Sequence, residues 1–193
     1  MTSDLNFSQD GRPRSDSERE KLRLEHEAAR LFMRLYEECF DVQIRHIWHN
    51  EPIKPDVSCY LGRDRLDLEI AHLYGSEAEA MLLLGRDLGD KTWHYLHELN
   101  STKSDERLLT ALNRILGNKA QKNYHSQKVW LVIRNMNPLW TRQDFLQRLE
   151  LIHLPDRHPF EAVWVVADFQ GISGLVRIFP PRLVDVSGAS KVE

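Results

Sequence analysis

Length, composition and cysteine content exclude several classes of protein. The chain has 193 residues, of which 41% are hydrophobic and 28% are charged, and its net charge is −3. A chain of this length and composition can form a globular domain that needs no disulfides. Two cysteines without CxxC spacing argue against a thiolate zinc site, and no apolar run approaches the roughly 20 residues that span a bilayer. The polar N-terminus also lacks the apolar region of a signal peptide, so we expect a cytoplasmic protein without a membrane segment.

The first half of the chain predicts one long helix followed by three strands. Residues 1–15 are rich in Ser, Asp, Gly and Pro and are predicted to be disordered. Asp16-Ser17 offers an N-cap, and apolar residues at helical spacing continue to about Cys39. The last two strands are joined by a short hairpin connection, Gly62-Arg63-Asp64. The three strands are predicted at residues 42–48, 56–61 and 65–73.

The second half predicts helices that alternate with buried strands. Pro180-Pro181 ends the last strand, which we expect at the edge of the sheet. The order predicts an α/β fold, a mixed β-sheet flanked by helices, in a single domain over residues 16–183 with a loose tail at 184–193. The helices are predicted at 77–98, 105–124 and 139–149, and the strands at 128–134, 160–168 and 175–179.

Charge is distributed unevenly along the chain. Residues 103–148 carry nine Lys and Arg against three Asp and Glu, a balance of +6, whereas residues 1–102 have a balance of −7. This asymmetry predicts a basic surface built by the middle of the chain, which suits the phosphate backbone of a nucleic acid. Solvated helix faces of mixed charge explain the same numbers equally well, so the charge permits a nucleic-acid partner without requiring one.

Two acidic residues in neighbouring strands are candidates for chemistry. In the third strand, alternation places Glu69 on the opposite face from Leu68 and Ile70. Asp56 opens the preceding strand, and a tight hairpin brings it near Glu69 at one end of the sheet. Two carboxylates this close repel each other unless a cation neutralises them, and such oxygen-rich sites suit Mg²⁺ or Mn²⁺. The structural alternative is that Pro55-Asp56 is an ordinary turn dipeptide and Glu69 faces solvent.

The spacing of these acids resembles a known signature. Pro55-Asp56, thirteen residues, and then Glu69 in an apolar strand is similar to the motif of the PD-(D/E)XK nuclease superfamily. The core order of that superfamily is αβββαβ, which residues 16–134 are predicted to reproduce, and the later helix and two strands resemble elements that many members add. The resemblance covers about two-thirds of the chain. It implies an Mg²⁺- or Mn²⁺-dependent endonuclease that hydrolyses phosphodiester bonds, with DNA as the expected substrate and a homodimer where both strands are cut.

One residue departs from the family pattern. The superfamily places a lysine two residues after the second acid, where this chain has Ala71. Some branches carry that lysine on the following helix, and Lys119 lies on the apolar face of the helix predicted before the fourth strand. A lysine in that position must find a carboxylate or extend to solvent, and Asp56 and Glu69 are its natural partners.

Other lysines compete for the same role. Lys122 is the second candidate for the missing lysine, and Lys91 is the third. Each would bring an ammonium group to the carboxylates, where it can hold or polarise an attacking water. The alternative is that Gly117-Asn118 ends the helix, which would leave Lys119 and Lys122 as ordinary surface lysines.

A third acid is expected from the first helix. Glu25 lies on the apolar side of that helix, three residues before Ala28. Members of the superfamily often have a glutamate there followed three residues later by alanine, so the resemblance implies that Glu25 is a metal ligand together with Asp56 and Glu69. Glu27 competes from the neighbouring face, and in the alternative both glutamates are exposed members of a charged helix.

The histidines and other motifs indicate no different chemistry. His46 and His49, and likewise His94 and His97, are three residues apart, but no third ligand of matching spacing follows, which argues against zinc. The chain has neither a glycine-rich phosphate loop with its lysine nor a GxSxG nucleophile motif.

Two other functions remain open from the sequence. One is a catalytically degenerate nuclease-fold module that binds nucleic acid or a protein partner without cleavage, which Ala71 and the acidic overall charge favour. The other is an unrelated α/β interaction module, in which the spacing of Asp56 and Glu69 is coincidental and the two acids lie far apart.

Overall fold

A six-stranded mixed sheet is the frame of the fold in the residues that the computed structural model describes, which are 15–50, 54–75 and 104–181. The strands lie in chain order, from β1 at one edge to β6 at the other. Pairing is parallel for β3–β4 and β4–β5 and antiparallel for the other three pairs. The strands are β1 (Ile44–His49), β2 (Val57–Leu61), β3 (Asp64–Leu73), β4 (Val129–Asn135), β5 (Phe160–Val166) and β6 (Leu175–Phe179).

Three α-helices and one 3₁₀ helix accompany the sheet within the described ranges. Helix α1 begins with a capping box, in which the Ser15 hydroxyl accepts from the backbone N–H of Glu18 and the Glu18 carboxylate accepts from that of Ser15. Ser15, rather than the predicted Asp16-Ser17, is the N-cap because its backbone is extended just before the first helical turn. The helices are α1 (Asp16–Phe40), α2 (Ser104–Ala120), α3 (Arg142–Gln147) and the 3₁₀ helix Leu149–Leu151.

The β2–β3 hairpin sets the register of the acidic strand. Leu61 pairs with Asp64, so Asp64 belongs to β3 and the turn consists of Gly62-Arg63 alone. Gly62 has φ of +62°, a left-handed conformation that glycine adopts without a steric penalty. From this turn the register runs down to Val57, which lies opposite Leu68.

Alternation in the central strands divides the core between the two faces of the sheet. Leu68 and Trp130 pack on the face covered by α1, whereas Leu131 packs on the face covered by α2. The parallel β3–β4 pair is therefore buried on both faces, in agreement with the continuous apolar sequence of β4. Glu69, one residue after Leu68, falls on the α2 face as its position in the alternation predicted.

The predicted α/β class, a mixed sheet flanked by helices, is confirmed. Helix α2 ends at Ala120 and passes through Gly117 without interruption, so the proposed break at Gly117-Asn118 is wrong. A single glycine weakens a helix by only about 1 kcal/mol, and packing of the apolar face of α2 outweighs that cost. Helix α3 begins three residues later than the predicted helix, because Thr141 is its N-cap, and it ends at Gln147, before the 3₁₀ helix.

Several expectations lie outside the described residues. They are the disorder predicted for the N-terminal segment up to residue 14, the helix predicted at 77–98 and the tail at 184–193. No helix in the described part of the chain combines the length and apolar character needed to cross a membrane.

Candidate active site

A cavity of about 770 Å³ opens beside β3, where that strand extends beyond its partner β2. Pairing with β2 reaches only as far as Leu68, so the following residues of β3 have the start of α1 and the end of α2 as neighbours. We call this space the carboxylate cavity. The lining residues that matter below are Glu25, Asp56, Ile70, His72, Lys119 and Lys122.

The backbone of Ile70 is the meeting point of two predicted site residues. The Asp56 carboxylate accepts a hydrogen bond from the Ile70 N–H at 2.8 Å, and the Lys119 ammonium donates to the Ile70 carbonyl at 3.1 Å. Both backbone groups point to the same side of the strand, the side that β2 leaves uncovered. The end of β3 therefore positions one acid and one lysine through its own main chain.

Glu69 lies beneath the cavity wall and is bound by two lysines. Its carboxylate accepts from Lys119 Nζ at 2.5 Å and from Lys122 Nζ at 3.0 Å. Glu69 is 1% exposed, so these ammonium groups, rather than water, balance its charge. Burial alone would lower the pKa of Lys122, but the hydrogen bond to Glu69 and the nearby acids outweigh burial and raise it.

Glu25 reaches the cavity from the opposite face of the sheet. It is 6% exposed on α1, and burial, followed by the negative charge of Asp56, raises the pKa of its carboxyl group to about 7. Lys21, one turn earlier, approaches it at 3.5 Å. Its competitor Glu27 instead pairs with Arg23 at 2.7 Å on the exposed side of α1 and lies 3.9 Å from the buried Arg134.

Asp56 is also held in an unfavourable environment for a charge. Burial raises the pKa of its carboxyl group, and the charge of Glu69 raises it further, while Lys119 and the Ile70 N–H oppose the change. Three acids thus share one buried region, and each gains from a nearby cation. Raised carboxyl pKa values of this kind are typical of functional sites, although structural ion-pair networks produce them too.

Two further side chains in this region were not expected from the sequence. The hydroxyl of Tyr124 is buried, and burial together with the charge of Glu69 raises its pKa. His72 lines the cavity, and burial together with Arg134 lowers its pKa to about 4, so its imidazole is neutral at pH 7. Neither has a local sequence signal, whereas the pairing of Lys21 with Glu25 follows the i,i+4 spacing of ion pairs on a helix.

The structure brings all five predicted site residues into one region. Four line the carboxylate cavity, and Glu69 contacts it through the two lysines. The unrelated interaction module required Asp56 and Glu69 to lie far apart. They are instead close enough for the charge of Glu69 to raise the pKa of Asp56. Lys91, His94 and His97 lie outside the described residues.

The acids alone do not form a ready metal cluster. In residues 15–50, 54–75 and 104–181, no three side chains of His, Cys, Asp or Glu are grouped closely enough to hold a metal ion. The donors are nevertheless of the kind that Mg²⁺ and Mn²⁺ prefer, namely carboxylate oxygens. The Lys119 and Lys122 ammonium groups neutralise the charge of Glu69.

No family model matches the chain, and no curated protein or solved structure gives a significant match. The superfamily resemblance therefore rests on the residues and element order described above.

Proposed function

We propose that this protein is a metal-dependent nuclease that hydrolyses phosphodiester bonds, with DNA as its substrate. The observation that carries the proposal is the meeting of Asp56, Glu69 and Lys119 around the backbone of Ile70. In this proposal Lys119 of α2, which bonds to Glu69 and to the Ile70 carbonyl, takes the role of the lysine that the family pattern would place at Ala71. This replacement is the one that some branches of the superfamily use.

The acids support a divalent ion as cofactor. Glu25, Asp56 and Glu69 would hold Mg²⁺ or Mn²⁺. Burial and the charge of a neighbouring carboxylate raise the pKa of Glu25 and of Asp56, and a bound cation would offset both effects. When bound, such an ion lowers the pKa of a water molecule and neutralises charge on the cleaved phosphodiester.

The lysines and the histidine have distinct roles in this proposal. The Lys119 and Lys122 ammonium groups lie at the carboxylates, where they attract a phosphate and offset the charge that develops on it. Because Lys119 is anchored by both Glu69 and the Ile70 carbonyl, it is fixed in position without a substrate. The neutral His72 adds no charge to the cavity wall.

A second function is favoured by a specific observation. Glu69 already has two lysine partners, and the described acids form no three-ligand group. A nuclease-fold module that has lost its metal and binds nucleic acid or a protein without cleavage would have such an arrangement. The two functions differ in whether the acids bind a divalent ion.

Metal titration of matched variants separates them. Mg²⁺ and Mn²⁺ are titrated by calorimetry into the wild-type protein, Glu69→Gln and Glu27→Gln, with plasmid cleavage followed in parallel. We expect Glu69→Gln to lose metal binding and at least about 100-fold of cleavage, since one ligand and the anchor of Lys119 are removed together. Glu27→Gln, a change of the same charge on the exposed side of α1, should keep both.

The opposite results decide against the nuclease. Wild-type protein that binds neither ion would leave the non-cleaving module as the function. Cleavage that survives in Glu69→Gln would show that the carboxylate cavity is not the site of the chemistry.

A further inference from the structure

A second cavity, of about 500 Å³, lies along the same strand as the carboxylate cavity. It is formed near the N-terminal end of β3 and at the segment that leads into β4. We call it the basic cavity because three of its lining residues are Lys or Arg. The lining residues that matter are Lys54, Asp64, Arg65, Asp67, His125 and Lys128.

Arg65 is held in this cavity from three directions. Its Nε lies 3.1 Å from Asp67 Oδ1, its Nη2 donates to the Ser58 hydroxyl at 3.0 Å, and its guanidinium lies 5.7 Å from the centre of the Trp48 ring. The side chain is still 45% exposed. A guanidinium that is fixed and accessible is suited to phosphate oxygens, because less entropy is lost when it binds them.

The acids in the cavity do not cancel its positive charge. Asp67 is 2% exposed, and Ser58 and Arg65 both bond to its Oδ1, so it supports the arginine rather than facing a ligand. Among the described residues that line the cavity, Asp64 is the one other acid beside Lys54 and Lys128. Lys128 lies 3.7 Å from the exposed Glu161, a surface pair that is weak and screened by salt.

Both cavities lie along β3. Asp67 and Glu69 are two residues apart in β3, so their side chains face the same side of the sheet. At roughly 3.3 Å per residue, Arg65 lies about 13 Å along the strand from Glu69. The segment after α2 joins the cavities as well, since Lys122 lines the first and Lys128 the second.

We propose that the basic cavity binds a phosphate of the nucleic-acid backbone beside the point of cleavage. The inference rests on the proposed function in taking nucleic acid as the ligand, but it does not require cleavage. A separation of about 13 Å is short enough for both cavities to contact one duplex, whose rise along the helix axis is about 3.4 Å per base pair. The contact is with the backbone, so it strengthens binding and fixes orientation without selecting a base sequence.

Lysine replacement and salt dependence test the cavity directly. Anisotropy of a labelled short DNA duplex is measured in EDTA, which prevents metal-dependent cleavage, over a series of salt concentrations. The double variant Lys54→Ala/Lys128→Ala should bind about tenfold more weakly at low salt, and its slope of log affinity against log salt should be smaller by about 2. Arg65 is left in place, because its removal would leave the buried Asp67 without a cation and disturb folding.

A double variant of equal charge change is the control. Arg34→Ala/Arg142→Ala removes two exposed cations that line neither cavity, and it should keep at least half of the wild-type affinity and most of the salt slope. The proposal is overturned if both double variants lose affinity equally, if the lysine variant retains the wild-type slope, or if the wild-type protein binds no duplex. It is overturned too if poly-glutamate displaces the duplex more effectively than unlabelled DNA, which would indicate an acidic protein as partner.

The outcome is independent of cleavage. Lysine-dependent binding without metal-dependent cleavage would support the basic cavity while the nuclease function fails. Cleavage with unchanged binding in the lysine variant would support the nuclease and overturn the basic cavity.

Discussion

The two faces of the central strands differ in chemistry although they share one backbone. On the α1 face, aromatic rings pack together, with Phe32 and Tyr36 of the helix 6.3 and 5.2 Å from the ring of Trp130. On the α2 face, β3 instead buries Asp67 and Glu69, each with cationic partners. Both faces contribute an apolar core to stability, and the α2 face in addition carries the electrostatic cost of two buried carboxylates, which their cationic partners offset.

The two buried acids of the α2 face also differ from each other. Asp67 is bonded by Ser58 and Arg65. Glu69 is bound by two lysines, and its charge raises the pKa of the neighbouring Asp56. Asp67 therefore acts as a support for one arginine, whereas Glu69 belongs to a group of acids whose mutual repulsion favours a cation.

The largest effect on stability is expected on the aromatic face. Phe32→Ala removes a fully buried ring from the α1 face and should lower the free energy of unfolding by about 3–5 kcal/mol, measured by urea denaturation. Metal binding below the melting temperature should remain, because Phe32 does not line the carboxylate cavity. A loss below about 1 kcal/mol would show that the aromatic cluster is not the main source of stability.

A smaller effect is expected from the lysine that is buried with Glu69. Lys119→Ala should cost about 2–4 kcal/mol, because the Lys119 side chain is only 19% exposed and its loss leaves Glu69 with one partner. Lys122→Ala is the matched control, since its side chain is 53% exposed, and it should cost less than about 1 kcal/mol. Adding Glu69→Gln to Lys119→Ala should recover part of the lost stability. Equal losses of stability for Lys119→Ala and Lys122→Ala would contradict the assignment of Lys119 as the lysine that is anchored at Glu69.

The smallest expected effect depends on pH and concerns Glu25. Burial and the charge of Asp56 raise the pKa of Glu25 in the folded state from its ordinary value of 4.5 to about 7, so the folded protein binds the proton more tightly than the unfolded chain does. The stabilisation is complete below about pH 4.5 and is lost as pH rises through about 7. Glu25→Gln cannot titrate, so it should match wild type near pH 4.5 and be more stable by at least about 1 kcal/mol at pH 8.

Thermal unfolding at both pH values checks this expectation, with Glu27→Gln as the control. The exposed Glu27 pairs with Arg23 and should show no gain at pH 8. In the same series, Mg²⁺ affinity of the wild type should rise with pH through about 7, because the metal competes with the proton on Glu25. A Glu25→Gln variant less stable than wild type at pH 8 would mean that Lys21 compensates the carboxylate fully.

Most of the fold and the acids of the candidate site could be predicted from local patterns. Alternation assigned Glu69 to one face of its strand, and the tight hairpin brought Asp56 to its neighbour Ile70. Helical spacing placed Glu25 on the inner side of α1, where it is buried. These features depend on residues close in the chain, whose periodicity and turn chemistry act before any distant contact forms.

Tertiary structure decided which of the candidate lysines meet those acids. Lys119 and Glu69 are fifty positions apart, so their contact depends on how α2 packs against β3 after a long connection, which no periodicity encodes. The position of Lys122 beyond the helix end and the burial of Tyr124 beside Glu69 have the same origin. The sequence by itself determined the strands, the helix faces and the acids they carry, because these follow from local backbone geometry. The pairing of charges and the two cavities arise only when elements that are distant in the chain pack together and exclude water.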